Sequence, residues 1–127
     1  AQDGLTTTYP VTSGSKGIQL YAPLDGRRTA MEVRDYARAL AQELATAHPA
    51  AVLSNMKREL RPGKVLLDWS QNHPAKNTIT PYSLRGREEP VVAAPRRWEE
   101  LTAGMTQLTP DDVVERLERD GDLLADV

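Results

Sequence analysis

One stretch of this chain suits a long helix, and the rest has to be arranged around it. From Thr29 to about His48, the residues Val33, Tyr36, Ala37, Leu40, Ala41, Leu44 and Ala47 recur at the 3.6-residue spacing that lines up one helix face. Thr29 followed by Glu32 has the form of a capping box, and Pro49 stops the helix. The runs on either side read as strands. Tyr9–Thr12 and Ile18–Leu24 flank a Gly/Ser turn, Ala51–Ser54 reads as a short strand, and 64–67 reads as a buried strand. Thr78–Leu84 alternates like a strand, and Val91–Ala94 is a further strand or an extended arm. Thr109, with Pro110, Asp111 and Asp112, opens a second helix whose Val113, Val114 and Leu117 are expected to face inward and which Gly121 stops. The expected fold is α/β (α+β): a mixed or antiparallel sheet packed against one main helix, with a second, C-terminal helix.

At 127 residues the length fits a single domain with one core, and the absence of phenylalanine leaves Leu, Val, Ile and Ala to fill it. There is no cysteine, which removes disulfides and thiolate metal sites and fits a cytoplasmic protein. No apolar run approaches the roughly 20 residues that span a bilayer, so no membrane partner is expected. The first residues, Ala1-Gln2-Asp3-Gly4, do not form a signal peptide, and the lack of an initiator Met suggests a processed product or a piece of something longer. Charge is uneven. Lys57 to Arg97 holds nine basic and four acidic residues, whereas Trp98 to Val127 holds two and nine. One face meeting phosphate would explain this, and so would an unevenly charged solvated surface.

Asp68 is the candidate catalytic and metal-binding residue. It stands where the strand after Gly63 should end, and a carboxylate there is costly to bury unless something pairs with it. A hard divalent cation prefers carboxylate oxygen. Ser13-Gly14-Ser15-Lys16-Gly17 joins two strands and so is not a P-loop, but its small residues, two hydroxyls and one ammonium suit an anion. A plain hairpin tip has the same composition. Arg85 could fork onto a triphosphate or be an ordinary surface arginine. Gln71 and Asn72 could read ribose or base, or satisfy loop backbone. His48 and His73 lack metal-ligand spacing. The nearby acids Glu59, Glu88 and Glu89 lie in charged loops, so Asp68 lacks the carboxylate partners a two-metal site needs.

Three segments in order, Ser13–Tyr21, Gly63–Asn72 and Pro81–Arg87, together resemble the polymerase domain of bacterial ligase D, a branch of the archaeo-eukaryotic primase superfamily. The likeness continues through Val92–Pro95 and Gly121–Leu124. It covers nearly all of this chain but only the C-terminal portion of the family domain, whose N-terminal part is absent from these residues. The resemblance implies a primase-type palm and a nucleotidyltransferase that adds nucleotides, preferably ribonucleotides, to DNA ends in non-homologous end joining. It also implies Mn2+, or Mg2+, in a two-metal site that only Asp68 represents here. On the same ground Ser13, Lys16, Gln19, Gln71 and Arg85 correspond to nucleotide-binding positions. The implied partners are NTP or dNTP, DNA ends, the missing N-terminal part, a ligase domain and the end-binding protein Ku, with a location at the cytoplasmic nucleoid.

Gln19 departs from the family pattern, because it stands where the resemblance calls for histidine. Glutamine donates a hydrogen bond but carries neither a proton for transfer nor a positive charge. That change should make the protein slower or differently selective. The isolated chain is expected to be inactive because the paired metal-binding aspartates that the resemblance implies belong to the missing N-terminal part, leaving one metal ligand and part of a triphosphate pocket here. The alternative is a non-catalytic module that binds nucleic acid or a repair partner.

Overall fold

A computed structural model describes residues 4–127. In chain order its strands and helices are β1 (Tyr9–Thr12), β2 (Ile18–Tyr21), α1 (Ala30–Ala47), β3 (Val52–Leu53), β4 (Val65–Leu66), β5 (Leu84–Arg85), β6 (Val91–Val92) and α2 (Pro110–Asp120). Short 3-10 turns cover Arg58–Leu60, Trp69–Asn72 and Trp98–Glu100. The chain divides into two compact units, residues 25–78 and the remainder.

In residues 25–78 the expected capping box forms. Thr29 Oγ1 accepts from the Glu32 amide at 3.3 Å, while the Glu32 carboxylate accepts from the Thr29 amide at 2.7 Å. That backbone bond, with the Thr29 hydroxyl, holds the Glu32 carboxyl below its ordinary pKa. His48 caps the other end, its amide donating to the Leu44 carbonyl at 2.9 Å. The apolar face is as expected over its first turns: Ala41 is buried and Val33, Tyr36, Ala37 and Leu40 are half-buried. Leu44 and Ala47 are exposed.

β3 and β4 pair in parallel, Val52 opposite Val65 and Leu53 opposite Leu66. The strand expected over 64–67 is thus two residues long, and it is not buried, since Val65 is 63% exposed. A strand with one neighbour and one covered side cannot enclose its side chains. Asp68 then caps the 3-10 turn Trp69–Asn72, which packs on α1. The Trp69 indole N–H donates to the Ser54 carbonyl at 3.0 Å and fixes the ring.

In the other unit β1 and β2 form the expected antiparallel hairpin, Thr12 opposite Ile18, with β2 ending at Tyr21 rather than Leu24. The far side of β1 meets the extended segment after β6. The Thr12 amide donates to the Ala94 carbonyl, and the Arg96 amide to the Pro10 carbonyl, both at 2.9 Å. This seam is the best-buried part of the unit: Val11, Thr12, Ala93 and Ala94 are almost wholly enclosed. Val92, Ala94 and Val113 form the core, with Tyr82 and Leu108 packed against it.

The strand expected over Thr78–Leu84 shrinks to β5, which pairs antiparallel with β6. Pro81 has no amide to donate, and Tyr82 has a φ of 68°, so the chain turns there instead of extending. The Val91–Ala94 segment is strand for two residues and an extended arm beyond. In α2, Thr109 and Asp112 form a capping box and Val113 faces the core. Val114 and Leu117, expected inside, are 55% and 39% exposed. Gly121 ends the helix at a φ of 73°.

The expected class therefore stands, a mixed α/β fold with two helices, but its sheet is in three two-stranded pieces. Among the described residues Arg96 is a buried cation. It lies 3.4 Å from Glu100, which also holds Arg116 at 2.6 Å. Burial pushes the Glu100 carboxyl up, yet the Arg116 hydrogen bond, the Arg97 amide and the charges of Arg116 and Arg96 outweigh it and leave the pKa lowered.

Candidate functional site

The Gly/Ser turn between β1 and β2 closes on itself through Ser13. Its hydroxyl oxygen accepts from the amides of Ser15 and Gly17, both at 3.2 Å, and its own amide donates to the Gly17 carbonyl at 2.9 Å. Two of the amides expected to face an anion are thus engaged by Ser13, which acts as the brace of the turn. Lys16 stays exposed at the tip.

Arg85 meets this turn directly. Its Nε donates to the Ser13 carbonyl at 3.0 Å, and its stem crosses Gly14 so closely that a Cβ there would fall 2.6 Å from Arg85 Cγ. Gly14 has a φ of +71°, which glycine adopts without strain. Anchoring through Nε leaves the terminal guanidinium nitrogens available as a fork for phosphate. Ser13, Lys16 and Arg85, distant in sequence, are therefore brought to one turn. Sequence reasoning missed Gln107, whose amide donates to the Ser15 carbonyl at 2.9 Å. No motif marks it.

Gln19, two residues into β2, accepts from the Tyr21 hydroxyl at 3.2 Å. Residues i and i+2 share a strand face, so this pair follows from the local geometry. Burial raises the Tyr21 pKa and keeps that hydroxyl a donor.

Asp68 is exposed and held by its own turn. Oδ1 accepts from the Ser70 backbone amide at 3.2 Å and the Ser70 hydroxyl at 2.6 Å, and Oδ2 accepts from the Gln71 side-chain Nε2 at 3.1 Å. Oδ2 keeps acceptor capacity beyond that single bond. An oriented, exposed carboxylate oxygen is a suitable donor for a hard divalent cation. Among the described residues no three His, Cys, Asp or Glu side chains converge as a metal-holding group, so Asp68 would supply one ligand. Ser70 was not singled out from sequence. The signal for it was the residue two positions after a capping Asp.

The other polar residues of this segment have local duties. Asn72 donates to the Trp69 carbonyl at 3.3 Å, and His73 Nδ1 accepts from the Ala75 amide at 3.1 Å. In the other unit, Tyr82 donates its hydroxyl to the Asp122 carboxylate. Burial first, then the Asp122 bond and charge, pushes the Tyr82 phenol well above its ordinary value.

Residues 1–124 match the family model described as the LigD primase-polymerase domain. A similar protein is the multifunctional non-homologous end joining DNA repair protein LigD of Mycobacterium tuberculosis H37Rv. It is 54% identical over 118 residues, which cover 92% of this chain and 16% of that protein. The bifunctional non-homologous end joining protein LigD of Bacillus subtilis is 37% identical over 118 residues, 91% of this chain and 19% of that one. Among solved structures, the polymerase domain from Mycobacterium tuberculosis ligase D in complex with DNA aligns with a TM-score of 0.92 at 53% identity. The alignment covers 97% of this chain and 43% of that one. The chain thus spans less than a fifth of these full-length relatives.

Proposed function

Because the chain belongs to the LigD primase-polymerase family, we propose that it forms part of a nucleotidyltransferase that extends DNA ends with nucleotides, preferably ribonucleotides, in non-homologous end joining. The observation that carries this reading is Asp68, an exposed carboxylate fixed by Ser70 and Gln71 with Oδ2 left able to bind a cation. In this reading Asp68 is the catalytic metal ligand that this chain contributes, and further carboxylates complete the site. Asp68 would help hold Mn2+ or Mg2+, whose charge would supply acidification of the attacking primer hydroxyl and neutralisation of the leaving diphosphate. Ser13 shapes the turn that receives the triphosphate, Lys16 and Arg85 supply its counter-charges, and Gln19 adds a neutral hydrogen-bonding amide. Gln71 keeps the Asp68 carboxylate oriented and borders the nucleotide. The partners on this reading are NTP or dNTP, a DNA end, the rest of the polymerase domain, a ligase domain and Ku, in the bacterial cytoplasm.

The test is manganese-dependent ribonucleotide extension of a DNA primer by the intact protein carrying Asp68→Ala. Loss of extension with primer binding retained is expected, and extension within a few-fold of the unchanged protein would sink the assignment. A second reading, a non-catalytic nucleic-acid-binding module, is favoured by the single candidate metal carboxylate among the described residues. It predicts salt-sensitive DNA affinity and indifference to Asp68→Ala throughout.

A further inference from the structure

Residue 69, directly after the metal-site carboxylate, is a tryptophan carrying two cations. The guanidinium carbons of Arg34 and Arg38, one turn apart on α1, lie 5.2 and 5.1 Å from the centre of the Trp69 ring. Both fall within the roughly 6 Å over which a cation is held by an indole. One such contact would suffice to fasten the turn to α1, which the Trp69–Ser54 hydrogen bond already helps to do. A second brings two positive charges to one ring, and among the described residues Arg34 alone of the two has a carboxylate beside it, Asp35 at 3.0 Å. Arg38 is exposed.

A guanidinium held over an indole keeps N–H groups for oxygen acceptors and is already partly ordered. Two guanidinium groups over one ring suit phosphate oxygens, whose negative charge relieves the repulsion between them. Arg38 is the freer donor, because Arg34 Nη1 already donates to Asp35 at 3.0 Å. The surrounding sequence has the matching sign. Residues 25–78 hold nine Lys or Arg against six Asp or Glu, although the whole chain is at −2. Being next in sequence to Asp68, such a site engages the strand on which the chemistry occurs.

We propose that Arg34 and Arg38, held over the Trp69 ring, bind the phosphodiester backbone of a nucleic-acid strand. This rests on the polymerase reading for its biological sense but not for its test. In the intact protein, binding of a labelled single-stranded oligonucleotide is followed by anisotropy across a salt series, with no nucleotide and with EDTA present. Each lost phosphate contact removes about 0.7 from the slope of log affinity against log salt, so Arg34→Gln with Arg38→Gln should lower it by about 1.4. Arg34→Lys with Arg38→Lys keeps the charges and should keep the slope, which separates phosphate binding from mere fastening of the turn. In a Trp98→Phe background, the oligonucleotide should also change Trp69 emission. A slope and affinity unmoved by the Gln pair would overturn the proposal. So would inorganic phosphate alone reproducing the emission change at the same concentration of phosphate groups. If Asp68→Ala leaves extension intact while the Gln pair flattens the slope, the polymerase assignment fails and this site stands. The reverse pattern removes the site alone.

Discussion

Replacing Gly14 by alanine tests whether the turn and Arg85 are one unit. Two costs arise at the same atom. Holding an alanine at a φ of +71° costs about 1–2 kcal/mol. Its methyl would also sit 2.6 Å from Arg85 Cγ, so the arginine stem must leave and its Nε bond to the Ser13 carbonyl breaks. A hydrogen bond from a charged donor contributes about 1.5–3 kcal/mol, and this exposed one belongs at the low end, about 1.5 kcal/mol. Gly14→Ala should therefore destabilise by about 2.5–3.5 kcal/mol when Arg85 is present. In an Arg85→Ala background Cγ is gone and the nearest remaining stem atom, Cβ, lies at an ordinary 3.5 Å. There the same change should cost only the backbone part, about 1–2 kcal/mol. Urea unfolding of the four proteins gives the cycle, provided the m-values agree. The coupling should be about 1.5 kcal/mol, and a value below about 0.5 kcal/mol would refute the contact. On the polymerase reading, the displaced guanidinium should also weaken nucleotide binding roughly tenfold, seen in a direct titration.

Glu100→Ala leaves Arg96, with a side chain 6% exposed, without its carboxylate. A loss of about 3 kcal/mol in urea unfolding is expected, the low end for breaking a buried pair, and Glu100→Gln should recover part of it. Tyr82→Phe tests the Asp122 bond by pH: the folded state raises the phenol pKa, so stability is full below the unfolded value of about 10 and falls as pH rises beyond it. The Phe variant should lose that alkaline decline, and a denaturation midpoint that still falls in parallel with the parent above pH 10 would show that another group causes it. Gln19→His places a titratable ring where a neutral amide now meets Tyr21. On the polymerase reading, nucleotide affinity should then acquire a step at about pH 6.5 that the parent lacks, measured by titration at a series of pH values.

The elements most legible in sequence were those set by local chemistry. Thr29 with Glu32, Thr109 with Asp112, Pro49 and Gly121 act within a few residues, and the helices they delimit formed as read. Strands depend on partners far away. Thr78–Leu84 has the right alternation, but Pro81 and the left-handed Tyr82 redirect it, and 64–67 finds one neighbour for two residues only. Inward and outward faces suffered likewise: Val114 and Leu117 share α2 with Val113, yet the core reaches only as far as Val113. At the candidate site, the side chains with charge were visible as residue types. What fixes them was not, because Ser13 oxygen to the Ser15 and Gly17 amides, or Arg85 Nε to the Ser13 carbonyl, are properties of backbone geometry.

Those fixing contacts share a logic that bears on function. Arg85 is held by Nε, which leaves its terminal nitrogens free. Asp68 is held mainly through Oδ1, with both Ser70 bonds on that oxygen and only the Gln71 bond on Oδ2. Arg34 and Arg38 are held over the Trp69 ring, with their guanidinium carbons 5.2 and 5.1 Å from its centre. An unrestrained arginine loses up to about 2 kcal/mol of side-chain freedom when a ligand immobilises it. A side chain ordered beforehand through atoms it does not offer to the ligand escapes most of that loss, so its charge acts at nearly full strength. If this is their purpose, mutating the holders should raise nucleotide or strand dissociation constants while the charged residues themselves stay in place. Ser70→Ala is the sharpest case, since it removes the 2.6 Å bond to Oδ1 and leaves every charge unchanged.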